Sequence, residues 1–421
     1  MADSKDISTP TQSLPDHGEP SKADGLTFAR RGEQVDETTA VSDVSGFDAE
    51  RMRARSLLTA AEEKALMRRV DFRIMTICSL LFLMKNIDAD NISNARIMNR
   101  GTSRNIMTQL DMTSDEYNLL NVLYYEQLST SYFLIVGSVD RLDIKGYLLT
   151  QLVPPTAKWL SDKEKAFIQA RLPANAPRAE EMNFNWSEIV DSLKDRRLWL
   201  FTAIWATFTV GTSGVRFYQP TVIANLGFTT IARAQLLNLP ISILAIFVIG
   251  VTGFFADKGL IPRPLYPLGV FAVILACYGV LVAYPSNGAV YAATLIGNAF
   301  TAAFFPLMWP WRVQTTSRAT GSAFSIGFVN SYGQIGGAIG PQIFRSKYAP
   351  RYQTSFAAAM ALVGCCAIIT CITWWVTRKT ESDTRRLKRA RVRAEREGLA
   401  VLDDVVDRDL NKKRSDDEES A

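Results

Sequence analysis

The chain has 421 residues, of which 48% are hydrophobic and 21% are charged, and its formal net charge at pH 7 is +5. Basic clusters flank long apolar stretches and are not interleaved with stacking or base-reading residues, which argues against nucleic-acid binding and favours a membrane protein. The only histidine is His17, and the five cysteines lack metal-ligand spacing. We therefore expect no metal site, no cofactor and no histidine-based catalytic centre.

The N-terminal tail, residues 1–50, is rich in Ser, Asp, Thr, Pro and Gly and has few large apolar side chains. Such a composition cannot bury enough surface to offset the entropy of ordering, so we expect disorder. Arginines precede and open the first apolar stretch, and this cationic flank predicts that the tail is cytoplasmic.

The first apolar stretch, Phe72–Ile87, leads into a polar run that contains Asp88, Asn91 and Asn94. Carboxylates at the end of an apolar helix are costly unless they are solvated or paired. Two interpretations remain open. The run is either a proton or substrate site, or a helix end that lies in headgroups and water.

A second candidate span, Tyr117–Val139, carries Glu126 in its middle. A carboxylate at the bilayer centre costs roughly 2.5–3.5 kcal/mol on insertion scales. Residues 51–139 are therefore expected to hold one or two membrane helices. The tail and the connector that follows are both expected on the cytoplasmic side, so an even number of membrane crossings must lie between them. Either this segment spans the membrane as the second crossing, or the topology conflicts with the distribution of Lys and Arg.

The connector, residues 140–197, is polar and rich in Lys and Arg, which predicts a cytoplasmic location. The run Ser161–Glu164 has the pattern of an N-cap and a first helical turn, and a second polar helix is expected from about Ser187. We interpret this region as a connector with surface helices and not as a separate enzyme domain.

Six long apolar stretches follow in close succession between residues 198 and 376. Each approaches the roughly 20 residues that cross a bilayer core, and aromatic residues lie near their ends. The stretches are Leu198–Tyr218, Gln235–Phe255, Leu265–Tyr284, Tyr291–Trp311, Thr320–Phe344 and Phe356–Val376. Their short connections favour antiparallel neighbours. The sequence thus predicts an all-α, multi-pass transmembrane helix bundle, followed by a charged cytoplasmic tail over residues 377–421.

Four polar residues inside these stretches are candidates for contacting a solute: Arg216, Asn298, Asn330 and Gln334. Arg216 either faces a cavity and binds an anion, or extends to the outer headgroups. The three amides either line a polar path or hydrogen-bond between helices. The glycine-rich run Gly333–Pro341 is better explained by close helix packing than by nucleotide binding, because it does not lie between a strand and a helix.

The turn between the second and third of the six stretches contains Asp257, Lys258 and Arg263. These charges either pair with one another or with a neighbouring helix end, or they belong to an ordinary solvated turn. The run Gly253–Arg263 resembles the signature loop of the major facilitator superfamily, in which an acidic residue and basic residues hold the inward gate.

The run Ile87–Arg96 is similar to the end of the first helix in the anion:cation symporter family of that superfamily, which includes fungal allantoate, nicotinate, vitamin and sulfur-anion permeases. Pro155–Ser161 resembles the family's segment after the sixth helix, and Gly336–Phe344 resembles its eleventh helix. The resemblance implies a plasma-membrane carrier that moves a small organic or inorganic anion with protons. Its partners are then the lipid bilayer, the solute and protons, and Asp88 occupies the family's acidic position.

Two departures from the family pattern matter. Ala89 stands where the family usually has Arg or Lys. The family has about twelve helices in two halves that rock about a central site, and the helices corresponding to three to six are missing here. We therefore expect a carrier that is incomplete in its N-terminal half. A non-transporting partner or regulator of a full-length permease is the alternative, whereas a membrane enzyme is disfavoured because the spans lack a convergent catalytic set.

Overall fold

The computed structural model describes residues 21–23, 26–31, 57–95, 98–99, 102–113, 115–120, 122–123, 159–171, 186–225, 237, 239–313 and 319–401, with only the backbone described over some of them, including 85–94. The elements within these ranges are β1 Ser21–Ala23, β2 Leu26–Arg30, α1 Ala60–Ala95, α2 Ile106–Gln109, α3 Asp162–Arg171, α4 Trp186–Lys194, α5 Arg196–Asn225, α6 Leu239–Lys258, α7 Leu265–Ala283, α8 Asn287–Val313, α9 Ala319–Ile339, α10 Gln353–Arg396 and β3 Leu399–Val401. The described residues divide into two compact units.

The larger unit contains the six-helix bundle formed by α5–α9 and the first part of α10. All six apolar stretches are helices, so the predicted all-α bundle is confirmed. Five of them, α5, α6, α7, α8 and α10, have the length and apolar composition to cross a membrane. The sixth, α9, carries glycines and polar side chains along its length.

Glycines bring α5 into close contact with α9 and α10. A Cβ atom on Gly336 of α9 would overlap the Thr209 side chain, and one on Gly214 of α5 would overlap the backbone of Gly340. A Cβ on Gly211 would lie 3.1 Å from the Cβ of Leu362 on α10. Small residues let helix backbones approach in membrane bundles. The packing interpretation of the glycine-rich run is thereby confirmed.

An aromatic core joins α5 to α8. The fully buried rings of Phe208 and Phe304 are stacked with their centroids 3.6 Å apart, and Phe271 of α7 lies 5.7 Å from Phe304. By contrast, α6 presents an apolar face outward, where Ile246 is 73% exposed. An exposed apolar face on a bilayer-length helix is the surface that lipid would cover.

The smaller unit contains the strands, the start of α1, the helix α3 and the end of α10. The strands form an antiparallel sheet in the order β1-β2-β3, with Phe28 opposite Val401. Arg31 follows β2, donates from Nε to the Leu399 carbonyl over 3.1 Å, and pairs with Glu63 of α1. The sequence did not indicate these strands. β1 and β2 lie within residues 1–50, for which the sequence predicts disorder, and β3 lies within the charged tail of residues 377–421. Most of residues 1–50 fall outside the described residues.

The connector helices lie where the sequence predicts them. The backbone N–H of Ser161 donates to Oε2 of Glu164 over 3.0 Å, and the Glu164 N–H donates to the Ser161 hydroxyl over 3.3 Å. These reciprocal bonds form a capping box at the start of α3. The second helix, α4, begins at Trp186, next to the predicted Ser187. Most of the second candidate span, residues 124–139, lies outside the described residues.

Candidate functional site

The predicted gate loop is an ordered charge cluster at the turn between α6 and α7. Nη2 of Arg263 lies 3.9 Å from Oδ1 of Asp257, and the backbone N–H of Arg263 donates to Oε1 of Glu381 over 3.2 Å. Glu381 lies on α10 and also pairs with Arg385 at 4.0 Å. The structure therefore brings Asp257 and Arg263 together and adds a carboxylate that the sequence analysis did not select.

Burial distinguishes the members of this cluster. The side chain of Arg263 is 17% exposed and that of Glu381 is 4% exposed, whereas Asp257 is 80% exposed. Burial lowers the pKa of the Arg263 guanidinium, and the nearby charges of Asp257 and Glu381 oppose that shift. The Arg263–Glu381 contact is therefore the sheltered part of the cluster, and Asp257 contributes a solvent-screened charge.

The turn around the cluster is held by its own contacts. Gly259 has a φ of 64°, a left-handed conformation that glycine adopts without steric cost. The Tyr266 hydroxyl donates to the Phe255 carbonyl over 2.8 Å, and Nζ of Lys258 lies 4.2 Å from the centroid of the Phe254 ring. Lys258 thus packs on an aromatic face, while Asp257 faces Arg263.

The other predicted site residues within the bundle lie on three different helices. Arg216 is exposed on α5, and it lies eleven residues, or about 16 Å of helix, from the buried Trp205. Asn298 is buried on α8 and donates from Nδ2 to the Thr294 carbonyl of its own helix over 3.1 Å. Asn330 and Gln334 are half-buried one turn apart on α9.

The polar run after the first apolar stretch belongs to α1, which continues to Ala95. Asp88, Asn91 and Asn94 therefore occupy helical backbone, and their side chains lie outside the described part of the chain. Spacing of three residues places them on neighbouring positions of one helix face. Their proposed roles in coupling and solute binding remain predictions.

A second buried cation, Arg312, was not selected by the sequence analysis. It lies in the last turn of α8 and is 1% exposed. Its Nη2 donates to the Ser325 hydroxyl over 3.0 Å and also to the Ser325 carbonyl. Its Cζ lies 5.0 Å from the Trp309 ring centroid. The available signal was an arginine directly after Trp309 and Trp311 at the end of an apolar stretch.

The described chain is similar to membrane transporters. Residues 146–341 match the family model described as Major Facilitator Superfamily. The MFS-type transporter cnsO of Penicillium expansum is 29% identical over 236 residues, which cover 54% of this chain and 45% of that protein. The inner membrane transport protein RhmT of Escherichia coli is 28% identical over 223 residues, with coverages of 52% and 50%.

A third relative is the high-affinity nicotinic acid transporter of Saccharomyces cerevisiae, which is 24% identical over 224 residues. The match covers 48% of this chain and 38% of that transporter. The chain thus spans half or less of the length of these three relatives. The matched segment 146–341 contains the connector helices and the bundle helices α5–α9. The segment 146–341 is thus similar to the Major Facilitator Superfamily, and it lies within a multi-pass membrane helix bundle.

Proposed function

We propose that this chain is the six-helix half, with a remnant of the other half, of a carrier that moves a small organic or inorganic anion together with protons. The observation that carries the proposal is the coincidence of the family match over residues 146–341 with a bundle whose α6–α7 turn holds the charge cluster of Asp257, Arg263 and Glu381. Residues of this bundle face a partner half in a rocking carrier, and the solute binds between the two halves.

Two arginines support an anionic solute. Arg216 is exposed on α5, and Arg312 is buried near the end of α8. An intramembrane cation is costly and is usually retained because it serves a solute or ion pathway. The similarity to a transporter named for nicotinic acid, an organic acid, points in the same direction.

Asp88 is the proposed site of proton coupling. A carboxylate in a low-dielectric environment retains its proton to a higher pH than it does in water, so it can bind and release a proton as its surroundings change. Asn91 and Asn94 complete the polar face of the first helix. In a chain that retains transport, Asp88→Asn is expected to remove proton coupling without reducing expression, and unchanged pH-dependent uptake would exclude Asp88 from the mechanism.

The incomplete N-terminal half is also part of the proposal. A rocking carrier needs two opposed bundles to seal alternate sides of the membrane. Expressed alone, the chain is expected to reach the plasma membrane as a multi-pass protein and to accumulate little solute. It would then be a partner or regulator of a full-length permease, which is the alternative to a carrier.

A chimera tests the anion-carrier assignment. Residues 140–421 are joined to the N-terminal half of the yeast nicotinic acid transporter, and the purified, monodisperse protein is reconstituted into proteoliposomes. With an inward proton gradient, we expect uptake of at least one carboxylate, sulfonate or inorganic anion, abolished by a protonophore. Uptake confined to neutral solutes, or uptake of an anion that is indifferent to the gradient, would contradict the proposal.

A further inference from the structure

The connector helix α4, Trp186–Lys194, carries an apolar stripe on its exposed side. Trp186 is 69% exposed, Val190 is 44% exposed and Leu193 is 37% exposed. Steps of four and three residues place these three side chains within about 60° of one another around the helix. Ile189, beside them, is buried, and α4 packs against α9. The α4 stripe of Trp186, Val190 and Leu193 is therefore additional to the part of the apolar face that the protein itself buries.

Charge is distributed unequally around α4. Lys194 borders the α4 stripe, and Arg196, the first residue of α5, is also exposed. Glu188 and Asp191 lie more than about 130° from the middle of the stripe, on the other side of the helix. Cations beside an apolar face, with acids on the far side, are the charge pattern of a helix that lies on an anionic lipid surface.

The junction with α5 indicates where α4 lies relative to the membrane. Asp195 is the single residue between the two helices, and its Oδ1 accepts the backbone N–H of Arg197 over 2.8 Å. Nε1 of Trp199 donates to the Leu193 carbonyl over 2.8 Å, and Trp199 is 48% exposed. Because α5 has the length and composition of a membrane span, an exposed tryptophan in its first turn is typical of the headgroup level. The last turn of α4, bonded to that indole, lies at the same level.

We propose that α4 is an interfacial helix whose stripe of Trp186, Val190 and Leu193 inserts into the leaflet at which α5 begins. Lys194 and Arg196 then contact anionic headgroups of that leaflet. Interfacial helices bury their apolar face roughly 5–10 Å into the boundary between headgroups and acyl chains. The inference depends on the membrane bundle and not on solute transport, so it stands or falls separately from the proposed carrier function.

Spin labels report which side of α4 meets lipid. Val190→Cys and, as the matched control, Asp191→Cys are each labelled in a cysteine-free full chain and reconstituted into vesicles of phosphatidylcholine and phosphatidylserine. Both native side chains are exposed, so neither label has to enter the protein core. The label at 190 should collide several-fold more often with oxygen, which concentrates in lipid, than with a water-soluble nickel chelate. The label at 191 should show the opposite preference.

Two results at position 190 would overturn the inference. A preference for the nickel chelate would show that the α4 stripe faces water. Protection from both reagents would show that protein, and not lipid, covers it.

Brominated lipid tests the same stripe in the chain with its native cysteines. Bromine atoms on the acyl chains near the headgroups quench the fluorescence of indoles that touch them. If Trp186 is inserted, Trp186→Phe removes a strongly quenched emitter, so the quenched fraction of the total fluorescence should fall. A rise in that fraction, or no change, would contradict insertion, and this result holds even if the cysteine-free chain does not fold.

The contribution of charge is measured on the labelled Val190→Cys chain. Replacing phosphatidylserine by phosphatidylcholine should lower the oxygen preference at position 190, because the attraction of cations to the surface is lost. The pair Lys194→Gln and Arg196→Gln should remove this dependence on lipid charge. Glu188→Gln, on the far side of α4, is the control and should retain it. Equal oxygen preference in charged and neutral vesicles would overturn the assignment of headgroup contacts to Lys194 and Arg196.

Discussion

Asn118 and Tyr218 exchange two hydrogen bonds across the apolar core of the larger unit. The Asn118 amide donates from Nδ2 to the Tyr218 hydroxyl over 2.9 Å, and the hydroxyl donates back to Oδ1 over 3.1 Å. The two residues are 1% and 0% exposed. A residue that precedes the connector is thus fixed to α5, the first helix after it. The neighbouring Tyr117 is buried in the same core.

This pair should couple energetically. Asn118→Ala or Tyr218→Phe leaves a buried polar group without its partner, which costs about 1–3 kcal/mol. The double variant removes both groups, so its loss should be smaller than the sum of the single losses. Unfolding free energies in mixed micelles would give the coupling energy. Strictly additive losses would show that the two side chains do not interact.

The contact between α5 and α9 provides a second prediction. Gly336→Ala should weaken or misplace this contact, because the added methyl would overlap the Thr209 side chain. Gly253→Ala on α6 is the matched control, since no atom beyond its own stretch of helix lies within 4 Å of its Cβ position. In a helix interior, Gly→Ala normally stabilises by roughly 0.5–1 kcal/mol. Melting temperatures in detergent should therefore fall for Gly336→Ala and hold or rise for Gly253→Ala. A rise in both would contradict the packing.

The gate loop yields a third prediction. Glu381→Ala removes the acceptor of the Arg263 backbone N–H, so exchange of this amide with deuterium should accelerate about tenfold or more. Glu381→Gln keeps an acceptor oxygen and should preserve most of the protection. Asp383→Ala, on the same helix, is the control. If exchange at residue 263 is the same in all three variants, Glu381 does not hold the loop.

Topology is the subject of a fourth prediction. Both tails and the connector should be cytoplasmic because Lys and Arg concentrate there. In a cysteine-free background, cysteines introduced at Ser42 and Ser415 should be protected from an impermeant thiol reagent on intact cells. A cysteine at Ser286, in the exposed turn between α7 and α8, should react. Labelling at either tail position on intact cells would refute the assignment.

The sequence was sufficient to predict the bundle, because bilayer-length apolar stretches with short links have few other solutions. For Asp257 and Arg263, which share one tight turn, the sequence left ion pairing and an ordinary solvated turn open, and the structure shows the pair. Glu381 was missed because it is 118 residues from Arg263 along the chain. Its position depends on the rotation of α10, which continues as a helix to Arg396, beyond the predicted end of the span at Val376.

The other features of the structure that the sequence did not predict have similar causes. Arg312 lies one residue after the predicted span Tyr291–Trp311, so it was not among the candidates chosen inside the spans. Its burial follows from the packing of α8 on α5 and α9, which hydropathy does not report. The pairing of β2 with β3 joins residues more than 360 positions apart, and the short polar tails that carry these strands show no strong alternation of apolar residues.

Uptake by the chain alone is the most direct test of the proposal that a six-helix half cannot open to alternate sides of the membrane without an opposed half. The purified chain is reconstituted into proteoliposomes and given a panel of radiolabelled organic and inorganic anions under an inward proton gradient. Empty liposomes and the chimera carrying a complete N-terminal half are measured in parallel. We predict accumulation by the chimera and none above empty liposomes by the chain alone. Saturable, protonophore-sensitive accumulation by the chain alone would contradict the account.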